Sequence, residues 1–457
     1  MKTIVITTLA LVLTCSIGLA QKPPLTLNQA VQQAWDKYPA LRSSLEQVSA
    51  AAAGIKLART SYLPRADFLG QANRATHNNV FGMLVSQSVI SPISGPVLGT
   101  NSLDSVWGSA LGVLVSWEPF DFGWRRANVE AAESSRDRAS AQVGVTKLQV
   151  GTAAADAFLT ILAAQHTVTA ARAAVERARV LNQAVETLAS NGLRPGADAS
   201  RTRAELALAE TQLIRAEEAV DLGRAALAQL LGVSPQTITV EPDPFMQAPP
   251  EQEISGPSTA DHPLAVTQNR VVAEVKSREK ALDRLYFPRF NLQGTAYGRG
   301  TGVHADGTTE GGTSGLGPDT QNWAVGLTVT FPIFDFASIR ARKEIELHNE
   351  RAEMARYDQL LQDLNGQLEK AKARLAAARR VAQNTPIQLE AARATEQEAS
   401  ARYRAGLGNI VEVAEAQRIL AQAEIDDALA RLDIWRALLG SAVAQGDLQP
   451  FLQRLSK

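Results

Sequence analysis

The chain of 457 residues is 45% hydrophobic but only 5% aromatic, and much of its apolar content is alanine. That composition suits a few very long helices with closely approached seams better than two or three ordinary globular cores. Its 46 basic and 47 acidic residues give a formal net charge of −1 and are interleaved without blocks of one sign, which argues against nucleic acid as a partner.

Met1-Lys2, an apolar run from Ile4 to Leu19 and the small-x-small site Gly18-Leu19-Ala20 read as an export signal peptide over residues 1–20, with the mature chain starting at Gln21. The single cysteine, Cys15, lies inside this segment, and Thr14 before it is a poor match to a lipid-attachment site, so the mature chain is expected to lack cysteine. Past residue 20 no run reaches the roughly 18 uncharged apolar residues of a membrane helix. The nearest, Ala153 to Ala164, is interrupted by Asp156, so any membrane crossing must use strands.

Thr26 and Gln29 have capping-box spacing and open a helix expected to run to about Tyr62, where Pro64 stops it. From Arg65 the period changes to two, with Ala66, Phe68, Gly70 and Ala72 alternating with polar residues. Residues 78–105 read as a long loop. Trp107 to Trp117 then alternates again, with tryptophan at both ends of its apolar face, as a lipid-facing barrel strand does. After Phe120-Asp121-Phe122-Gly123 a helix is expected to Ser190, about 67 residues or about 100 Å. Asn191 to Pro195 breaks it, and a return helix runs from about Asp198 to Leu231-Gly232. Residues 233–262 are proline-rich and aperiodic.

The second half echoes the first. Tyr286-Phe287-Pro288-Arg289 matches Tyr62-Leu63-Pro64-Arg65, and Phe334-Asp335-Phe336 matches Phe120-Asp121-Phe122. The offset of 214 holds without gaps from Arg126/Arg340 through Gly192/Gly406 to Glu210/Glu424. The plan is therefore a first repeat at 21–232, a connector at 233–262, a second repeat at 263–446 and a tail at 447–457. Each repeat pairs one full-length helix with two half-length ones of about 35 residues, stacked end to end. Strands recur at Phe290–Tyr297 and Trp323–Phe331, around a second glycine-rich loop from Gly300 to Asp319. Four strands cannot close a transmembrane barrel, which needs at least about eight, and open edges are not tolerated in lipid. The chain must be an oligomer, and two, three or four copies satisfy this argument.

Catalysis finds no support. His77, His166, His262, His304 and His348 have no metal-ligand spacing and read as surface residues. Gly298-x-Gly300-x-Gly302 has no following helix and reads as loop, and no glycine-lysine phosphate loop exists for ATP use. The competing class is a soluble periplasmic coiled-coil scaffold or tether with no pore.

The duplicated strand-strand-long-helix plan, the opening Leu25-Thr26-Leu27-x-x-Ala30-Val31-x-x-Ala34 followed by Tyr38-Pro39, and the tip from Gly406 to Gln417 carry a resemblance over essentially the whole mature chain. The chain resembles the TolC-like outer membrane efflux proteins, the outer membrane factor family. That implies a mixed α/β membrane protein: a homotrimer with a 12-stranded β-barrel, four strands per chain, continuous with an α-helical coiled-coil tunnel in the periplasm. It implies the role of exit duct in a tripartite efflux or type I secretion system. The implied partners are a periplasmic adaptor and an inner-membrane pump of RND, ABC or MFS type; no cofactor is implied. Trp107, Trp117, Trp323 and Phe331 would form the aromatic belt.

The resemblance also suggests an acidic ring at the periplasmic entrance, at Glu412 and Glu415, whose spacing puts them on one helix face. Asn409 to Glu412 is equally the spacing of a helix cap. Asp198 and Tyr403 match a polar gate link of the family, although Tyr403 packing on Leu407 is an alternative. The arginine usual four residues before the acidic pair is Gly408 here, leaving Arg404 or Arg194 as substitute gate links at tips built on Gly192, Gly406 and Gly408.

Overall fold

A computed structural model of the chain describes residues 24–76, 103–242, 245, 247, 249, 258–304, 306 and 308–454. Residues 1–23, which include the expected export segment and Cys15, together with His77, residues 78–102 of the expected first loop and much of 243–257, lie outside the described residues.

Helix α1 (Leu27–Lys37) opens on the expected capping box: Gln29 N–H donates to Thr26 Oγ1 and Thr26 N–H to Gln29 Oε1, both at 3.2 Å. The single helix anticipated up to Tyr62 is in fact two. Pro39 holds Tyr38 extended (φ −70°, ψ 125°), so α1 ends at Lys37 and α2 (Pro39–Thr60) restarts with proline in its first turn.

Strands β1 (Arg65–Thr76), β2 (Ser105–Phe120), β3 (Arg289–Thr301) and β4 (Thr320–Thr330) form one antiparallel sheet in that order. The register aligns one apolar face across all four: Phe68 opposite Val113, Val113 opposite Ala296, and Ala296 opposite Trp323. Phe68, Val113, Trp117, Leu292, Trp323 and Leu327 are exposed there, while Asp67, Gln71, Ser116, Gln293 and Asn322 share the other face. Among the described residues β1 and β4 each have a neighbour on one side only. The Gly298-x-Gly300 stretch expected to be loop lies inside β3, where Gly298 pairs with Leu111 and Gln321 and Gly300 with Ser109, and the β3–β4 loop folds back over it. A side chain at Gly300 would overlap the carbonyl oxygens of Gly315 and Gly317.

The long helices are α3 (Trp124–Ser190, 67 residues) and α6 (Phe336–Arg404, 69 residues). Their return helices α4 (Gly196–Leu231) and α7 (Ile410–Gln445) are both 36 residues and start 214 positions apart. Along α3, α2 packs near its start, through Ser44 on Thr146, and α4 near its end, through Thr202 on Asn182. Helix α5 (Pro263–Asp283) has 21 residues rather than about 35, since its first part is replaced by connector.

The main core lies at mid-length, where Phe158 of α3 meets Phe245 of the connector (5.7 Å between ring centroids), Phe245 meets Trp435 of α7 (5.2 Å), and Trp435 meets Phe451 (6.4 Å). Phe451 belongs to α8 (Gln449–Arg454), so the C-terminal tail is docked in this core.

His262 is not the surface histidine expected: it is 2% exposed and caps α5. Leu264 N–H donates to its Nδ1, so the proton sits on Nε2 and is donated to the Val443 carbonyl, both at 3.2 Å. Burial lowers its pKa, partly offset by the Val443 bond. The unfolded chain takes up a second ring proton below about pH 6.5 while the folded chain, with Nδ1 accepting from Leu264, resists it, so stability present above pH 6.5 is lost as pH falls toward the folded pKa. Between pH 7.5 and 5 the thermal midpoint of His262→Asn, which retains a capping oxygen, should fall less than that of the native chain.

Candidate functional site

The far ends of both helical hairpins close with the same hydrogen-bond pattern. Gly192 (φ 71°) and Gly406 (φ 74°) take the left-handed conformation, Leu193 N–H donates to the Leu188 carbonyl, and Leu407 N–H to the Arg402 carbonyl, each at 2.9 Å. These are Schellman closures, in which glycine adopts a backbone that other residues resist.

At the second tip Asn409 caps α7: Glu412 N–H donates to Asn409 Oδ1 (2.9 Å), and Asn409 Nδ2 donates back to Glu412 Oε1 (3.2 Å). Glu415 is ion-paired one turn on with Arg418 at 2.6 Å, and this carboxylate holds the Arg418 guanidinium above its ordinary pKa. Of the two acidic candidates, Glu412 therefore has a neutral partner and Glu415 a cationic one. Gly408 sits close by, and a Cβ there would lie 3.3 Å from Arg402 Cβ, Tyr403 N and Glu412 Oε2. An arginine at 408 requires those neighbours to shift by a few tenths of an ångström.

Tyr403 is 4% exposed and packs with Val185, Ile410 and Val413, not with Leu407, which is 74% exposed. Its hydroxyl has no hydrogen-bond partner among the described residues. Burial raises its pKa; Arg194 opposes that shift and Asp198 adds to it. Asp198 thus stands near Tyr403 without a hydrogen bond to it. Besides that apolar packing on Val185, Arg194 joins the tips, with its guanidinium 4.5 Å over the Tyr403 ring and its Nη2 donating to the Tyr403 carbonyl at 3.2 Å. Arg404 turns back on its own helix, donating to the Ser400 carbonyl. Further from the tips Arg177 of α3 and Glu424 of α7 form a bidentate, largely buried pair at 2.8 and 3.3 Å.

At the opposite end, the helices meet the sheet in an aromatic joint that sequence reasoning missed. Phe122 (φ 51°) and Gly123 (φ 90°) turn the chain from β2 into α3, and Phe122 stacks on Phe287 with centroids 5.2 Å apart. Beneath them the buried Arg125 gives Nε to Asp121 Oδ2 (2.8 Å) and Nη1 to the Ser61 carbonyl (3.2 Å), and lies 4.8 Å from the Tyr62 ring. Of the residues expected to form an aromatic belt, Trp117 is at this end with Nε1 donating to the Tyr62 carbonyl, and Phe331 contacts Phe336 edge-on. Trp107 lies at the far end under Arg74, while Trp323 is two strands away, level in register with Val113.

No described helix is long and apolar enough to cross a membrane, and no group of described residues gathers to hold a metal. The family model for outer membrane efflux proteins matches residues 30–233 and 272–440. This chain belongs to that family. The efflux-family chain is 25% identical over 413 residues to protein CyaE of Bordetella pertussis, covering 86% of this chain and 78% of the relative. Its fold is similar to the Campylobacter jejuni outer membrane channel CmeC (16% identity, TM-score 0.74), with 92% of this chain and 85% of that one covered. It is likewise similar to the outer membrane protein VceC of Vibrio cholerae (17%, TM-score 0.70; 92% and 96% covered). As a member of the outer membrane efflux family it is a passive transport channel, not an enzyme, placed in the outer membrane and extending into the periplasm.

Proposed function

We propose that this efflux-family chain forms a homotrimeric exit duct of a tripartite efflux or type I secretion system, gated at its periplasmic tips. The observation that carries the reading is the sheet. It has one continuous apolar face and two unpaired edges, at one end of helices whose 67 and 69 residues span about 100 Å. In lipid such edges must be closed by other copies, and three chains of four strands give a 12-stranded barrel. Trp107, Trp117, Trp323 and Phe331 then serve as its aromatic belt. The equal return helices and matched tip glycines support an internal duplication of 21–232 in 263–446, with 233–262 at the equator and 447–457 closing the core. Members of the family work as trimers with periplasmic adaptors and inner-membrane pumps. Here the adaptor would meet the tips and an RND, ABC or MFS pump would supply the energy. A soluble tether is the weaker reading, because it leaves the apolar sheet face without a solvent.

Six carboxylates, Glu412 and Glu415 from three chains, would ring the entrance, with Glu412 carrying most of the net charge because Arg418 offsets Glu415. The purified protein in a planar bilayer should conduct with cation preference, and Glu412→Gln with Glu415→Gln should lower the cation-to-anion permeability ratio severalfold while keeping the cap. An unchanged ratio removes the ring; no conductance at all removes the duct.

A further inference from the structure

The two hairpins share their lengths and tip closure but not their side chains, and one difference lies in the backbone ladder itself. Helix α6 contains a proline, Pro386, whose missing N–H leaves the Ala382 carbonyl without its ladder partner. At the offset of 214 the first hairpin carries Arg172 and Glu217 where the second has Pro386 and Arg431, and that pair spans α3 and α4 at 3.0 Å. An exposed ion pair therefore crosses the first hairpin at the level where the ladder of the second is interrupted.

The apolar packing changes at the same place. On the equatorial side Ala378 and Ala382 of α6 pack on the main core, which also joins α3 to α7. Toward the tip, Leu389 and Ala392 belong to a separate cluster shared only with α7, and a third cluster joins α3 only to α4. The hairpins meet apolarly again at the tip, around Tyr403. Between core and tip, Arg177 to Glu424 ties them together, and Arg194 ties the tips themselves. An open groove of about 730 Å³ lies between α3 and α6 there, bordered by Leu181, Leu188, Glu396 and Ser400.

Bending a pair of helices whose axes are about 9 Å apart through roughly 20° changes their relative path length by about 3 Å. An intact hydrogen-bond ladder resists that, whereas a proline break absorbs it and α7 can follow by smooth curvature. Thr385 Oγ1 donates to Asp427 Oδ1 at 3.1 Å, and Arg431 holds the other carboxylate oxygen at 2.9 Å, so α6 stays pinned to α7 beside the break.

We propose that Pro386 is the hinge of the second hairpin: the arm from Pro386 through the tip to about Asp427 swings as a unit away from the rigid first hairpin, and Arg177–Glu424 and Arg194–Tyr403 are the ties that hold it closed. The proposal rests on the gated-duct reading for its purpose but not for its test.

With the leader removed the chain has no cysteine, so spin labels can be placed at Leu193→Cys and Leu407→Cys, on exposed tip residues, in full-length protein diluted with unlabelled chains. Cutting the ties with Arg177→Gln, Glu424→Gln and Arg194→Ala should add a population with tip-to-tip distances longer by at least 5 Å. In a Pro386→Ala background the same cuts should leave one narrow population. Equal lengthening in both backgrounds, or none in either, overturns the hinge. A second measurement needs no tie cuts: amide exchange over residues 382–392 should be at least tenfold slower in Pro386→Ala than in the native chain, and equal rates overturn it too. If the swing occurs but bilayer conductance ignores the cuts, the gate reading fails and the hinge stands; if conductance responds without dependence on Pro386, the reverse holds.

Discussion

Asp121→Ala should destabilise the joint between sheet and helices by about 3–5 kcal/mol, because it leaves the buried Arg125 charge without its counter-ion. The Arg125 and Asp121 side chains are 5% and 9% exposed, so water cannot step in for the lost partner. Burial alone would raise the Asp121 carboxyl. The N–H groups of Arg125 and Gly123 and the Arg125 guanidinium outweigh it and hold the carboxyl below its ordinary value of 3.8. The contribution therefore persists through mild acid and is lost only as pH falls below about 3.8 and through the folded pKa. The second joint suggests the remedy: at the offset of 214, Arg125 is answered by Ile339, buried at 5% exposure. Asp121→Ala combined with Arg125→Ile should recover most of the loss, and thermal midpoints of the detergent-solubilised single and double variants measure this directly. A double variant no better than Asp121→Ala would mean that the pair does more than satisfy itself.

That joint marks where sequence reading stopped. The Phe-Asp-Phe echo at 120–122 and 334–336 was legible as a repeat, but not that Asp121 is buried against arginine while Phe334 is 95% exposed. Repetition reports common backbone but neither burial nor partners: Asp335 repeats Asp121, yet Ile339 stands where Arg125 would pair with it. Strand parity and the bounds of α3 were readable because period and punctuation are local. The break at Tyr38 is equally local, because Pro39 overrides the helical period around it. At the tips, Glu412 as a cap followed from Asn409, and the i,i+3 spacing of Glu415 and Arg418 is equally local, whereas Arg194 reaching Tyr403 over a separation of 209 residues is not. A stronger signal for His262 was also present: a histidine immediately before a proline that opens a helix stands at the capping position.

Arg194→Ala should loosen the tips and raise the open fraction of the channel about tenfold, seen as increased single-channel open probability. The side chain contributes a cation–π contact at 4.5 Å and a charged hydrogen bond at 3.2 Å to a backbone carbonyl. In a partly exposed position these sum to about 1–2 kcal/mol, and each 1.4 kcal/mol is a factor of ten in population. Tyr403→Phe should act in the opposite direction. Its hydroxyl is buried and unpartnered among the described residues, so removing it relieves a desolvation cost of about 1 kcal/mol while the ring keeps its packing on Val185, Ile410 and Val413 and its seat under Arg194. A gate closed by a Tyr403–Asp198 hydrogen bond, whether within a chain or between neighbours, predicts the contrary: Tyr403→Phe would then open the channel as Arg194→Ala does. Amide exchange of the tip residues separates the two independently of conductance, since a tip held by Arg194 exchanges more slowly in Tyr403→Phe and a tip held by the hydroxyl exchanges faster.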